Sequence, residues 1–312
     1  MKTINNFWFA TIMPALVGFG LVAACVQNLR FYGWSLFLGL PVVVGFLSAF
    51  CLSFRRDVSQ SAAFGAAAVS VLLLGGIIIV FAMDGVICLL MALPLALCFA
   101  IVAAALGRLA GRACGRGMRS ALPLVVVLLF PAFVAFDYTS RPSPPVRSVT
   151  TSVVVHAQIE QVWKGVVTFP KITEPLSGIF CLGIAYPMEA RIEGSGIGAV
   201  RHCIFSTGSF VEPVTKWQQP GLLAFDVKSS PPPMKELSPY EQVNAPHLHG
   251  HMNSKRGQFR LVQQGADVML EGTTWYSHTL SPQWYWGPIS DYMIHRIHER
   301  VLNHIKRTVE GR

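Results

Sequence analysis

The apolar positions of this chain change character once. Up to residue 136 they form long unbroken runs; beyond it they become periodic. Phe7 to Gln27, Phe31 to Phe54, Ser61 to Ala82 and Gly85 to Gly107 are uncharged, and each is about 20 residues or longer, enough to cross a hydrocarbon core as a helix. Four spanning helices follow. A fifth run, Ala121 to Phe136, is shorter and holds Pro123 and Pro131; it is read as a span, with an interfacial segment as the alternative. Residues 138–147 are a proline-rich, extended linker.

From Ser148 the spacing predicts a mixed domain. SVTTSVVVHA is a β-branched run and reads as a strand, while Ile159, Val162, Trp163 and Val166 recur at helical spacing within 158–168. A second short helix is expected near Thr173 to Ile179. Six strand-like runs follow, at 189–193, 198–207, 210–217, 222–229, 257–264 and 268–279, broken by Gly- and Pro-containing turns. The chain closes on an amphipathic helix, Pro288 to Val309. Stepping by about 100° per residue from Ile294 gathers Ile297, Val301, Ile305 and Val309 on one stripe and sets Arg296, Glu299, Arg300, Asn303, Lys306 and Arg307 opposite. His298 lies about 40° from the centre of that stripe, with His295 and His304 on its borders. A histidine on a buried face needs a partner or a cavity, so the helix is expected to close a pocket over a curved sheet. The architecture is thus an N-terminal all-α transmembrane bundle (1–137) followed by a C-terminal α+β domain (148–312), an antiparallel sheet wrapped on a long C-terminal helix.

Charge sets the orientation. The net charge of +9 divides into 8 basic and 3 acidic residues through Asp137, and 17 and 13 beyond it. Arg55 and Arg56, and then Arg108, Arg112, Arg116 and Arg119, mark two loops as cytoplasmic, while the connections at Arg30 and at Asp84 are nearly bare. Five spans with a cytoplasmic N-terminus place the C-terminal domain outside the cytoplasm, at the plasma (inner) membrane; four would return it inside. The first run is too long for a cleavable signal. The spans carry no charge in mid-membrane, which favours an anchor over a channel. Basic residues do not cluster with aromatics, so nucleic acid is not an expected partner. The seven cysteines contain no CxxC, and spacing leaves open whether Cys181 and Cys203 pair.

Several features of the second half resemble the START-like (SRPBCC) superfamily, in particular its polyketide cyclase/dehydrase and lipid-transport branch. They are Ala157, Glu160, Val162 and Trp163 where the first strand meets its helix, Gly196, Gly198 and Arg201 in a hairpin, and Phe210, Glu212, Val214, Pro220 and Gly221 on the next strand and turn. The resemblance covers Ser148 to Arg312 and implies the helix-grip fold, with a hydrophobic ligand held between sheet and helix. The attached membrane region and the long insert from Ser230 to Asn253 depart from it; loops of that length often act as lids.

The candidate ligand-binding residues are Arg201, Glu212, Trp275, Tyr276 and His298. Along GTTWYSHTL, Thr273, Trp275, Ser277 and Thr279 alternate with Thr274, Tyr276, His278 and Leu280, and one of the two rows must face the helix. His247, His249 and His251 alternate on an extended segment and could ligate zinc; lacking an adjacent carboxylate, they read first as a solvated loop. No metal or cofactor is expected. Trp284, Tyr285 and Trp286 suit a pocket mouth or a membrane interface, with the interface preferred. The expected function is a membrane-anchored binding protein for a lipid or other hydrophobic small molecule, with the bilayer as its second partner. The alternative is a cyclase, dehydratase or hydrolase using histidines as acid/base groups or metal ligands.

Overall fold

A computed structural model describes residues 2–29, 32–117, 121–140, 143–240, 243, 245–248 and 250–311. The chain divides into two compact units, 1–143 with 236–246 and 280–282, and 144–235 with 247–279 and 283–312.

The first unit is helical: α1 (Lys2–Ala23), α2 (Leu40–Ser53), α3 (Gln60–Val80), α4 (Val86–Gly115) and α5 (Leu122–Thr139). Among the described residues four stretches are long and apolar enough to cross a membrane, Asn6–Val26, Ser35–Ser53, Gln60–Val80 and Val86–Gly115; α5 supplies a shorter one, Leu124–Thr139. Two apolar helices gain little from hiding apolar surface in lipid, so close packing must hold them together. Here α2 and α4 touch backbone to backbone. A Cβ on Gly45 would lie 2.2 Å from the Ala100 carbonyl oxygen, one on Gly107 2.3 Å from that of Phe46, and one on Gly111 2.6 Å from that of Phe50. Gly65, Gly75 and Gly76 border open space instead.

Several polar groups in the bundle are paired. The Ser48 and Ser70 hydroxyls meet at 2.6 Å, and Ser70 donates to the Thr11 carbonyl at 3.0 Å. The Asp137 carboxylate accepts from the Trp34 and Ser35 N–H groups at 2.9 and 2.8 Å and from the Ser35 hydroxyl at 2.6 Å, capping the turn that opens the second span. The segment 236–246 belongs to this unit: Glu236 accepts from the Ile87 N–H at the start of α4, Val86 donates to the Leu237 carbonyl, and the Tyr240 hydroxyl donates to the Val80 carbonyl.

The second unit is an antiparallel sheet with two helices. Its strands are β1 (Arg147–Val155), β2 (Pro187–Glu193), β3 (Val200–Phe205), β4 (Gly208–Gln218), β5 (Leu222–Asp226), β6 (Met252–Gln264) and β7 (Asp267–His278), in the order β1-β7-β6-β5-β4-β3-β2. This is the helix-grip arrangement: α6 (Ile159–Val167) and the long α7 (Gln283–Glu310) pack on one face of the sheet. The turn into β7 requires Gly265, whose φ of +62° suits a residue without a Cβ. No helix forms at 173–177; a 3-10 turn covers Gly178–Leu182 instead, after Pro175 has removed a backbone donor. The last helix begins five residues ahead of Pro288, which therefore lies inside it, in the second turn, where it offers the Trp284 carbonyl no donor. Trp286, on that helix, is buried, while Trp284 stays exposed.

Cross-strand register gives the sheet one inward row. Val149 pairs with Thr274, Thr274 with Gly257, Gly257 with Phe225, Phe225 with Val214, and Arg201 with Glu212, so these side chains share the face covered by α7. Leu223, Leu270, Leu302 and Ile305 are fully buried between the layers. Gly257 makes room for the Phe225 ring, which a Cβ would approach to 2.6 Å.

Candidate functional site

The layers do not close completely. Between β3–β7 and the middle of α7 lies a cavity of about 130 Å³. Its apolar lining comes from Phe205, Phe210, Phe225 and Phe259 on the strands and from Met293, Ile297 and Val301 on the helix. Polar groups enter it at few points: Arg201, Glu212, Thr274 and His298 among them. A cavity with mostly apolar walls and a few polar anchors is the usual form of a small-molecule site.

Among the described residues Arg201 is the largest fully buried side chain. It donates through Nη1 to Glu212, directly opposite on β4, and its guanidinium carbon lies 5.8, 5.4 and 5.4 Å from the ring centres of Phe169, Phe225 and Phe259. Among the described residues its Nε and Nη2 make no hydrogen bond, although the Cys203 thiol lies beside the guanidinium. Burial drives the Glu212 carboxyl above the usual carboxylate range, against the pull of Arg201. The Cys203 thiol is likewise pushed up by burial, to about 12. The site therefore holds a buried cation with unused donors, which is costly unless something accepts from them.

His298 stands on the helix side. Its Nε2 is 2.8 Å from the Thr274 hydroxyl and its Nδ1 3.2 Å from that of Thr151. Burial, with a smaller contribution from His295, lowers its pKa to about 4, so the ring is neutral at pH 7.

Of the residues expected at the site, Arg201, Glu212 and His298 line this one cavity. Tyr276 lies on the inward row but beyond the cavity, where its hydroxyl donates to Asp291 at 2.6 Å; Asp291 in turn holds Arg147. Trp275 is on the opposite face, with the Arg256 guanidinium 4.2 Å from its ring centre. The alternation along β7 is regular, but only its pairing to β1 and β6 fixes which row turns inward. Thr151 was not singled out by sequence: a lone threonine in a β-branched strand carries no local signal.

His249 lies outside the described residues, as does the side chain of His247. His251 pairs its Nδ1 with the Thr279 hydroxyl at 2.6 Å. His304 is buried at the far end of α7, where it meets Glu174 at 3.1 Å. Cys181 and Cys203 are both free, the first exposed and the second in the cavity wall. In the helical unit, ligand-type atoms of Asp84, Cys88 and Glu236 come within 4.8 Å of one another. Burial, with Glu236 adding to it, raises Asp84 to about 7, and Glu236 is engaged as the cap of α4.

No family model matches this chain, and no curated protein does. Solved structures that resemble it include a truncated norcoclaurine synthase from Thalictrum flavum, 11% identical over 55% of this chain and 99% of that one, with a TM-score of 0.36. The Zhui aromatase/cyclase from Streptomyces sp. R1128 is 16% identical over 54% and 96%, with a TM-score of 0.36. The Aha1 dimer from Colwellia psychrerythraea is 14% identical over 53% and 96%, with a TM-score of 0.32. At these scores the likenesses assign neither ligand nor activity to this chain.

Proposed function

We propose that this chain is a multi-pass membrane protein whose sheet-and-helix unit binds a lipid or other hydrophobic small molecule between the sheet and α7. One observation carries the reading: an apolar cavity with a buried arginine whose Nε and Nη2 make no hydrogen bond among the described residues. A solid core would gain stability by filling this space with side chains, since voids and unpaired donors both cost free energy. The apolar body of the ligand occupies the phenylalanine-lined space, and Arg201, Glu212 and His298 orient its polar end. The bundle anchors the protein, with Arg55 and Arg56 after α2 and the arginine-bearing end of α4 (Arg108, Arg112) on the cytoplasmic side and the binding unit on the other.

Purification of the full chain in detergent, followed by mass spectrometry of bound organic molecules, tests the binding. Wild type retains a hydrophobic compound in stoichiometric amount, and Ile297→Trp, which fills the cavity, loses it. Equal amounts of the same lipids on both proteins would mark them as surface-bound and remove the support for a ligand site. Impermeant thiol labelling of exposed Cys181 in sealed cells tests the orientation: labelling from outside is expected, and labelling only after lysis overturns it.

A further inference from the structure

One line of hydrogen bonds runs from the cavity to the surface. His298 Nε2 meets the Thr274 hydroxyl at 2.8 Å, both residues lining the cavity, and His298 Nδ1 meets Thr151 Oγ1 at 3.2 Å. The same Thr151 hydroxyl, itself buried, lies 2.7 Å from His295 Nδ1. His295 Nε2 lies 3.5 Å from Glu299 Oε1, and these two side chains are 44% and 32% exposed, so the outer end reaches water. The line is built by pairing: Val149 opposes Thr274 and Thr151 opposes Gly272, which sets the two threonines on one face beneath His295 and His298, three residues apart on α7.

Counting protons shows what this line can do. A neutral imidazole has one donor and one acceptor, and a hydroxyl has one hydrogen. With hydrogens on His298 Nδ1 and His295 Nε2, every link is satisfied: Thr274 donates to His298, His298 to Thr151, Thr151 to His295, and His295 toward Glu299. Shifting one hydrogen at each link gives the reverse set, in which Thr274 donates into the cavity and the proton that leaves His295 Nε2 sits on Glu299 or passes to water. The two sets differ by one proton carried between cavity and solvent. The other charged groups near the line are Arg201 and Glu212 in the cavity wall and Arg296, which donates to Glu299 at the outer end. The lowered pKa of His298 suits a ring that passes protons without holding a charge.

We propose that the cavity is a proton-transfer site: Thr274 and His298 exchange a proton with an apolar carbonyl compound bound there, at the carbon α to its carbonyl, and Thr151, His295 and Glu299 conduct it to water. This rests on the ligand-binding reading above. The α C–H bond breaks, its proton passes to Thr274 Oγ1 as the Thr274 proton moves to His298 Nε2, and the bonding pair becomes the C=C of an enolate. Arg201 supplies donors to the enolate oxygen through Nε and Nη2. Returning a proton along the same line restores the ligand, so no co-reactant is needed.

The test uses full-length protein in detergent and 2-indanone in D2O. Binding is followed by tryptophan quenching and deuterium uptake by mass spectrometry. Wild type binds saturably and exchanges the α hydrogens faster than a micelle blank. Thr151→Val, whose side chain lies behind His298, binds equally but exchanges about 100-fold more slowly, and His298→Gln at saturating ketone exchanges as slowly. Thr151→Ser, which keeps the hydroxyl, retains the wild-type rate and separates proton conduction from packing. Saturable binding with exchange no faster in wild type than in His298→Gln overturns the relay and leaves the ligand site standing. Absence of saturable binding to wild type overturns both.

Discussion

Replacing Arg201 by Met removes a guanidinium of which one nitrogen, Nη1, meets Glu212 while two make no hydrogen bond among the described residues. Glu212, 6% exposed, is then left in an apolar wall without its cation. Breaking a buried pair by deleting one partner costs about 3–5 kcal/mol, because the survivor keeps its desolvation cost and loses its compensation. In a unit of this size 1 kcal/mol moves the midpoint by about 2–4 °C, so the single variant should unfold about 10 °C or more below wild type. The double variant Arg201→Met/Glu212→Leu removes both desolvation costs and fills part of the void. It should recover the loss and equal or exceed wild type, by up to about 4 kcal/mol.

The sign with pH follows from the carboxyl. Burial already holds Glu212 above the usual range, and losing Arg201 raises it further. A carboxyl whose folded pKa exceeds its unfolded value binds protons more tightly when folded, so the defect is largest near pH 8 and shrinks as pH falls toward about 4.3. Thermal unfolding in detergent, followed by intrinsic fluorescence, measures this, since Trp163, Trp217, Trp275, Trp284 and Trp286 report on the sheet-and-helix unit and only Trp8 and Trp34 on the bundle. A single variant as stable as wild type, or a double variant no better than the single, would refute the claim that the pair is kept for ligand binding at a cost in stability.

Other substitutions probe the surroundings. Tyr276→Phe removes a 2.6 Å bond to the Asp291 carboxylate and should cost about 1.5–3 kcal/mol in the same assay while leaving ligand retention unchanged. Gly257→Ala places a methyl where the Phe225 ring stands 2.6 Å away and should destabilise the unit by about 1–3 kcal/mol. Gly107→Leu forces α2 and α4 apart and should convert the detergent-solubilised protein from a single chromatographic species to aggregate. Glu174 is held at about 2, against its burial, by His304, its own backbone and Arg307; its contribution is intact above about 4.3 and lost as pH falls toward 2, so Glu174→Gln should flatten the acid limb of stability there.

What could be read without coordinates was whatever repeats at short range. Unbroken apolar runs define the spans, because a membrane-crossing helix must be apolar all round. Period-two runs between glycine and proline turns define the strands, and the 100° stepping of the last helix put His298 on its covered face. Everything that depends on how distant segments meet needed the fold. Regular alternation on β7 left Trp275 and Tyr276 equivalent until pairing with β1 and β6 chose the inward row. The same pairing brought Thr151 and Thr274, 123 residues apart, to one histidine. Asp137 reads in sequence as a charge at a helix end, and only tertiary packing makes it the cap of a turn about 100 residues earlier. Periodicity is a property of neighbouring residues, whereas register and docking are set by side chains that meet only once the chain has folded, so the cavity, its buried arginine and its path to water were decided there.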